Sequence, residues 1–192
     1  MNETTFYTGK GDHGDTTRLG GEGRLPKNSA LIDVIGDIDE ATSAIGMARS
    51  LAQDSLLQEG LPTIQRHISQ LMAHLSATPA ARERFSGLSE GEVRWLEELI
   101  ARLASGIPPL RDFVLPGDST SGAACHIART IVRRAERRLV AFAELEPDIG
   151  PPNLAYMNRL SALMFVAALR EDRLAGKNVR LARESSDVIR ET

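Results

Sequence analysis

A single cysteine, Cys125, occurs in the 192 residues, which excludes an internal disulfide and a multi-cysteine zinc site and fits a reducing compartment. Cys125 lies in the small-residue run Gly122-Ala123-Ala124-Cys125, where close approach of another helix gives it a packing role. No window approaches the ~20 apolar residues that span a bilayer; the best stretch, 160–169, is far too short. Residues 1–16 lack a basic n-region and an apolar h-region, so no signal peptide is expected and a cytoplasmic, membrane-free protein is. Positive charge is not in excess either. With 23 basic against 26 acidic residues and a net charge of −3, the chain does not look like a general nucleic-acid binder. Aromatics make up 4% and no strand pattern or internal repeat stands out, while 42% hydrophobic content suffices for one domain with a full core.

What is present is helical spacing. Leu31, Val34, Ile35, Ile38, Ala41, Ile45 and Ala48 carry a first helix over 30 to about 51, with Asn28 or Ser29 as its N-cap. Pro62 suits the first turn of a second helix, which Ile64, Ile68, Leu71, Met72 and Leu75 continue to Thr78-Pro79. Residues 79–87 read as a loop. Ser89 with Glu92 is a capping box that opens a third helix ending at Gly106. A fourth opens after 115–118, with Asp118 as its N-cap, and closes near 146–147; a fifth runs from about 153 to 174. The expected fold class is an all-α five-helix bundle, with 1–28 as an irregular glycine-rich loop, 29–175 as the bundle and 176–192 as a C-terminal segment.

Two segments carry chemistry. On the fourth helix Arg129, Arg133 and Arg137 recur every four residues, with Glu136 and His126 on the same side. Forked guanidinium groups suit the oxygens of a polyphosphate, and one carboxylate can orient an arginine, a sugar hydroxyl or a metal. A solvated basic face explains the same charges. The second segment, 8–16, reads T-G-K-G-D-H-G-D-T. Its G-x-G-x-x-G string lacks the strand before and the helix after that a dinucleotide fold needs, and no Walker A string occurs. Three glycines nevertheless let backbone N–H groups converge on an anion, with Lys10, Lys27 and threonine hydroxyls beside them. The competing reading is an N-terminal arm.

Taken together, Y-T-G-K-G-D-H-G-D-T, F-V-L-P-G-D-S, H-I-A-R-T-I-V-R-R-A-E-R, Y-M-N-R-L-S and the closing S-D-V-I-R resemble the PduO-type ATP:cob(I)alamin adenosyltransferases, in order and over nearly the whole chain. The resemblance implies a homotrimer of five-helix bundles that binds ATP, Mg²⁺ and a cob(I)alamin-type corrinoid between neighbouring subunits. It implies that Thr8, Gly9, Lys10, Gly11, Asp12, Gly14, Thr16 and Lys27 hold the nucleotide, with Arg133, Glu136 and Asn158 from another chain. Arg133, Glu136 and Lys27 would act in catalysis. Asp39 and Arg129 would link subunits near the corrinoid, Phe113 would pack where the axial base leaves, and Val188 and Ile189 would add an aliphatic wall. A flavin-type reductase and an adenosylcobalamin-dependent enzyme are the implied partners, and a corrinoid-binding module without catalysis is the alternative. Three positions depart from the family pattern: Asp118 in place of glycine, Ala162 in place of an aspartate expected to be buried, and Ile189 in place of an aromatic. His126 is read as a satisfied core histidine, Trp95 as structural, His13 as solvent-facing, and Arg134, Arg137 and Arg138 as surface or trimer-contact residues.

Overall fold

The computed structural model describes residues 7, 9–21, 23–146 and 148–183. Among these residues five α-helices form: α1 (Ala30–Leu51), α2 (Ser55–Ser76), α3 (Glu90–Ala104), α4 (Thr120–Ala143) and α5 (Pro151–Leu174). Their buried residues follow the three- and four-residue spacing of an amphipathic stripe, as Leu31, Val34, Ile38, Ala41, Ile45 and Ala48 do in α1. α1 packs between α2 and α4, α5 packs between α4 and α3, and a lighter contact of α2 with α3 closes the ring. Its interior is filled by fully buried side chains such as Ile38, Ile45, Leu57, Ile68, Leu96, Leu139, Tyr156 and Met157. Among the described residues no helix is long and apolar enough to cross a membrane.

Four expectations are corrected. α2 begins at Ser55, and Pro62 lies inside it. The start is set by Asp54, whose carboxylate accepts from Leu56 N at 2.8 Å, and by Leu57 and Leu61, which are buried and hold the added turns. α4 is capped by Ser119 rather than Asp118: the Ser119 hydroxyl accepts from Gly122 N at 3.0 Å. The stretch 79–87 contains a 3₁₀ turn, Pro79–Arg84. Finally, two strands exist, β1 (Asp15–Thr17) and β2 (Arg24–Pro26), paired antiparallel with Thr16 opposite Leu25. Three-residue strands are too short to show alternation. The capping box of α3 forms as read, and Ser29 takes the N-cap position of α1 without a side-chain bond.

Two buried acids on α5 lock the bundle end. Glu171 accepts from Gln53 N and Asp54 N at 2.9–3.0 Å, joining α5 to the link between α1 and α2. Asp172 accepts from the Ser119 hydroxyl at 2.6 Å. It fits because residue 122 is glycine: a Cβ there would fall 2.1 Å from Asp172 Oδ1. The small-residue run thus serves the close α4–α5 approach, and Cys125 is fully buried inside it with its thiol pushed up to about 12 by burial.

Candidate functional site

The glycine-rich loop is folded against the starts and ends of helices. Asp12 N bonds Gly9 O and Gly14 N bonds Gly11 O, each at 3.2 Å, giving two successive turns. Gly9 and Gly14 take positive φ, of 67° and 80°, a backbone conformation that side chains disfavour. Lys27 returns across the loop: its N donates to Gly14 O and its Nζ to Gly11 O, both at 2.8 Å. A Cβ on Gly11 would stand 2.9 Å from that Nζ, so the third glycine makes room for the lysine. Arg24 clamps the Asp15 carboxylate through two N–H groups at 2.5 and 2.6 Å and also donates to Lys10 O. Its hydrogen bonds, and to a lesser extent its charge, hold the Asp15 carboxyl below the usual carboxylate range. Arg18 donates to Ala77 O at 2.6 Å and ties the loop to the end of α2. Between loop and α1 lies a cleft of about 270 Å³ lined by Thr16, Thr17, Lys27, Leu31, Ile32 and Ile35 among others. Lys10, Asp12 and His13 are exposed, and Thr8 lies outside the described residues.

On α4 the arginines separate by what they touch. Arg134 reaches Asp37 at 3.3 Å and also Glu40, and Arg138 reaches Asp37 at 3.5 Å, so both tie α4 to α1. Arg137 donates to Arg133 O at 3.1 Å. Arg133 is exposed, and among the described residues its guanidinium has no ion pair or hydrogen bond. One turn further on, Glu136 Oε1 accepts from Asn158 Nδ2 at 2.8 Å; Asn158 Oδ1 in turn accepts from Arg159, which pairs with Glu97 at 3.0 Å. α4 and α5 therefore present a cation, a carboxylate and an amide on one outer face, with the last two oriented by each other.

Toward the start of α4 the surroundings turn apolar and buried. Arg129 is half-buried, with its guanidinium carbon 6.0 Å from the centre of the Phe165 ring and its Nε without a partner. His126 meets the same ring edge-on at 5.9 Å. It is 3% exposed, yet neither ring nitrogen has a partner among the described residues, so it is buried as expected but not satisfied. Burial lowers its pKa, and the Arg129 charge lowers it further. Phe113 is 81% exposed on a segment held by pairing: Ala182 N bonds Phe113 O at 2.8 Å, and Leu115 N bonds Arg180 O at 2.9 Å. Asp39 is exposed, and within the chain no ion pair among the described residues joins it to Arg129. Val188 and Ile189 lie outside the described residues.

One of the departures, Asp118, finds a structural role. Asp118 binds Arg180 through its guanidinium at 3.2 Å and its backbone N at 3.3 Å, fastening the chain after α5 to the start of α4. Ala162 lies on the exposed side of α5, so an acid there would not be buried in this chain, contrary to expectation. Phe165, Arg24 and Asp172 were not singled out from the sequence. Phe165 carried a signal, standing three residues before Ala168 on an apolar helix; the other two depend on partners distant in the chain.

Within the chain no hydrogen bond or ion pair among the described residues joins the loop to Arg133, Glu136 or Asn158. The structure thus offers two separate polar surfaces and the exposed ring of Phe113. Comparison with known proteins identifies the family. Residues 6–171 match the family described as cobalamin adenosyltransferase. The corrinoid adenosyltransferase of Bacillus subtilis is 38% identical over 168 residues, covering 85% of this chain and 84% of that protein. The mouse corrinoid adenosyltransferase MMAB is 37% identical over 171 residues, covering 85% and 70%. The corrinoid adenosyltransferase PduO of Citrobacter freundii is 35% identical over 178 residues, which are 90% of this chain, and the chain spans about half (51%) of its length. Among solved structures, a variant PduO-type ATP:corrinoid adenosyltransferase from Lactobacillus reuteri, complexed with cobalamin and ATP, superposes with a TM-score of 0.83 at 34% identity, covering 94% of this chain and all of that one. A match that runs through loop, arginine helix and bundle alike places the chain in the cobalamin adenosyltransferase family.

Proposed function

We propose that the protein transfers the 5′-deoxyadenosyl group of ATP to Co(I) of a corrinoid, giving the adenosylated corrinoid and inorganic triphosphate. The Co(I) electron pair forms the cobalt–carbon bond as the C5′–O bond breaks, and the electrons of that bond leave with the triphosphate. Cobalt is the nucleophile, so the residues need not supply a general base. Their task is to hold and neutralise a departing polyanion.

One observation carries this reading. Of the five arginines on α4, Arg133 is the one whose exposed guanidinium is uncommitted among the described residues, and it stands one turn from the Glu136–Asn158 pair. An exposed fork beside an oriented carboxylate and amide fits a phosphate chain joined to a sugar. On the loop, Gly9, Lys10, Gly11, Asp12, Gly14, Thr16 and Lys27 are the residues we assign to the triphosphate, with Thr8 carried by the family pattern. Lys27 crosses Gly11 and Gly14 and fixes the turns of the loop. Mg²⁺ would enter as the counter-ion of the triphosphate; among the described residues no group of three His, Cys, Asp or Glu forms a metal cage.

The separation of the two polar surfaces supports a site shared between neighbouring chains, as in a homotrimer, with the loop of one chain facing Arg133 of the next. Met47, Ile127 and Val140, large apolar residues exposed on α1 and α4, fit burial in such an interface. In that assembly Asp39 of one chain would meet Arg129 of another, which Phe165 already holds in place from within. Phe113 would occupy the lower face of the corrin, where an apolar ring in place of an axial base favours the four-coordinate cobalt that is reduced most easily. Val188 and Ile189 would line the same site. A reductase must then deliver Co(I), and an adenosylcobalamin-dependent enzyme would take the product. The test is anaerobic incubation with ATP and chemically reduced corrinoid: the spectrum of a cobalt–carbon bond supports transfer, whereas binding without spectral change favours a delivery module.

A further inference from the structure

A cleft that the nucleotide surfaces leave unused lies at the end of the bundle, and we infer that it holds the nucleotide tail of a complete corrinoid, its phosphodiester and aromatic base, once that base has left the cobalt. The inference rests on the placement of the corrin ring over Phe113. The cleft encloses about 640 Å³, within the ~300–1,000 Å³ usual for small-molecule sites. Ile107, Leu110, Leu169 and Val179 supply apolar wall, while Arg173 and Lys177 supply two cations. Among the described residues no acid belongs to the lining. Arg173 spends one N–H on Gly106 O, which holds the 106–110 segment in place as a wall. Lys177 is exposed and, among the described residues, its ammonium has no ion pair.

Two kinds of surface side by side match the two halves of the tail. A planar aromatic base prefers the aliphatic wall, and a phosphodiester prefers the cations. Two segments of the lining lead toward Phe113. Leu110 is three residues away along the chain, hence within about 11 Å between Cα atoms. From the other side, the backbone pairing of Phe113 and Leu115 with residues 180–182 carries Val179 up to the same segment. A base displaced from cobalt by Phe113 therefore finds a berth beside the residue that displaced it, and the protein gains a way to prefer complete corrinoids over those lacking the tail.

The experiment compares KM for reduced cobalamin and reduced cobinamide, which lacks the nucleotide, in wild-type protein and in Lys177→Glu. Loss of one phosphate contact and its replacement by a like charge should raise KM for cobalamin by about tenfold or more while KM for cobinamide and for ATP stays put. Lys177→Arg should restore the cobalamin value. An equal shift for both corrinoids, or none for either, would overturn the tail site while leaving the transfer reaction standing. Absence of turnover with either corrinoid in wild-type protein would instead remove the corrin from Phe113 and take the tail site with it.

Discussion

Replacing Arg133 by alanine removes a guanidinium that makes no ion pair or hydrogen bond within the described chain, so the whole consequence falls on the ligand. Its backbone carbonyl, which accepts from Arg137, stays in place. A charge-assisted hydrogen bond contributes about 1.5–3 kcal/mol, and a preorganised contact to charge that develops at the transition state is worth about 3 kcal/mol. At about 1.4 kcal/mol per decade these convert to a loss of roughly ten- to 150-fold in kcat/KM for ATP. The split between constants is informative. A contact made equally to bound ATP and to the departing triphosphate raises KM alone, whereas one that strengthens as charge reaches the leaving group lowers kcat. The assay is steady-state adenosylation under reducing conditions at saturating corrinoid, alongside thermal unfolding, which should not move. Arg137→Ala is the control, being an exposed arginine one turn further along the same helix. Wild-type kcat/KM in Arg133→Ala, or an equal loss in both variants, would refute the assignment of Arg133 to the triphosphate.

Phe113→Ala should leave ATP affinity intact and slow adenosylation, because on the proposed placement its exposed ring would face the corrinoid alone; a loss of ATP affinity would move Phe113 out of that role. Gly122→Ala places a Cβ 2.1 Å from Asp172 Oδ1 and 2.7 Å from its Cγ, so either the buried Asp172 carboxylate leaves its place beside Ser119 or α4 and α5 part. A destabilisation of about 1–3 kcal/mol in urea unfolding is expected, and an unchanged midpoint would show that the helices are not held by this contact. Burial lowers the pKa of both His67 and His126, so the folded chain refuses protons that the unfolded chain binds near pH 6.5. Stability present above that pH is therefore lost as pH falls through it, and urea midpoints should drop between pH 7.5 and 5.5. His126→Leu should flatten part of that slope, and an unaltered slope would show that His126 does not contribute.

The bundle was legible because helical spacing survives as a one-dimensional signal. The apolar stripe of α1 and the capping box of α3 are local patterns, and the structure bears both out. α2 was misjudged at its start because Pro62 reads locally as a first-turn residue; what extends the helix to Ser55 is the burial of Leu57 and Leu61 and the cap at Asp54, which Glu171 braces from α5. Asp118 likewise resembled a cap until Arg180, far along the chain, claimed its carboxylate. Site chemistry was legible as residue types, since guanidinium and glycine-rich backbone announce an anion whatever surrounds them. Which arginine is free was not legible from charge and spacing; the family resemblance alone set Arg133 apart from Arg134, Arg137 and Arg138. In the structure Asp37 and Glu40 on a neighbouring helix engage Arg134 and Arg138, and Arg137 turns back to the Arg133 carbonyl.

The central claim is that this chain joins ATP to cobalt rather than only holding a corrinoid. Purified protein, ATP and chemically reduced cobalamin, mixed without oxygen and followed by absorbance and by triphosphate release, test it most directly. Loss of the Co(I) spectrum, growth of the alkylcobalt spectrum and release of one triphosphate per cobalt–carbon bond are predicted. A Co(I) spectrum that persists beside intact ATP would contradict the account.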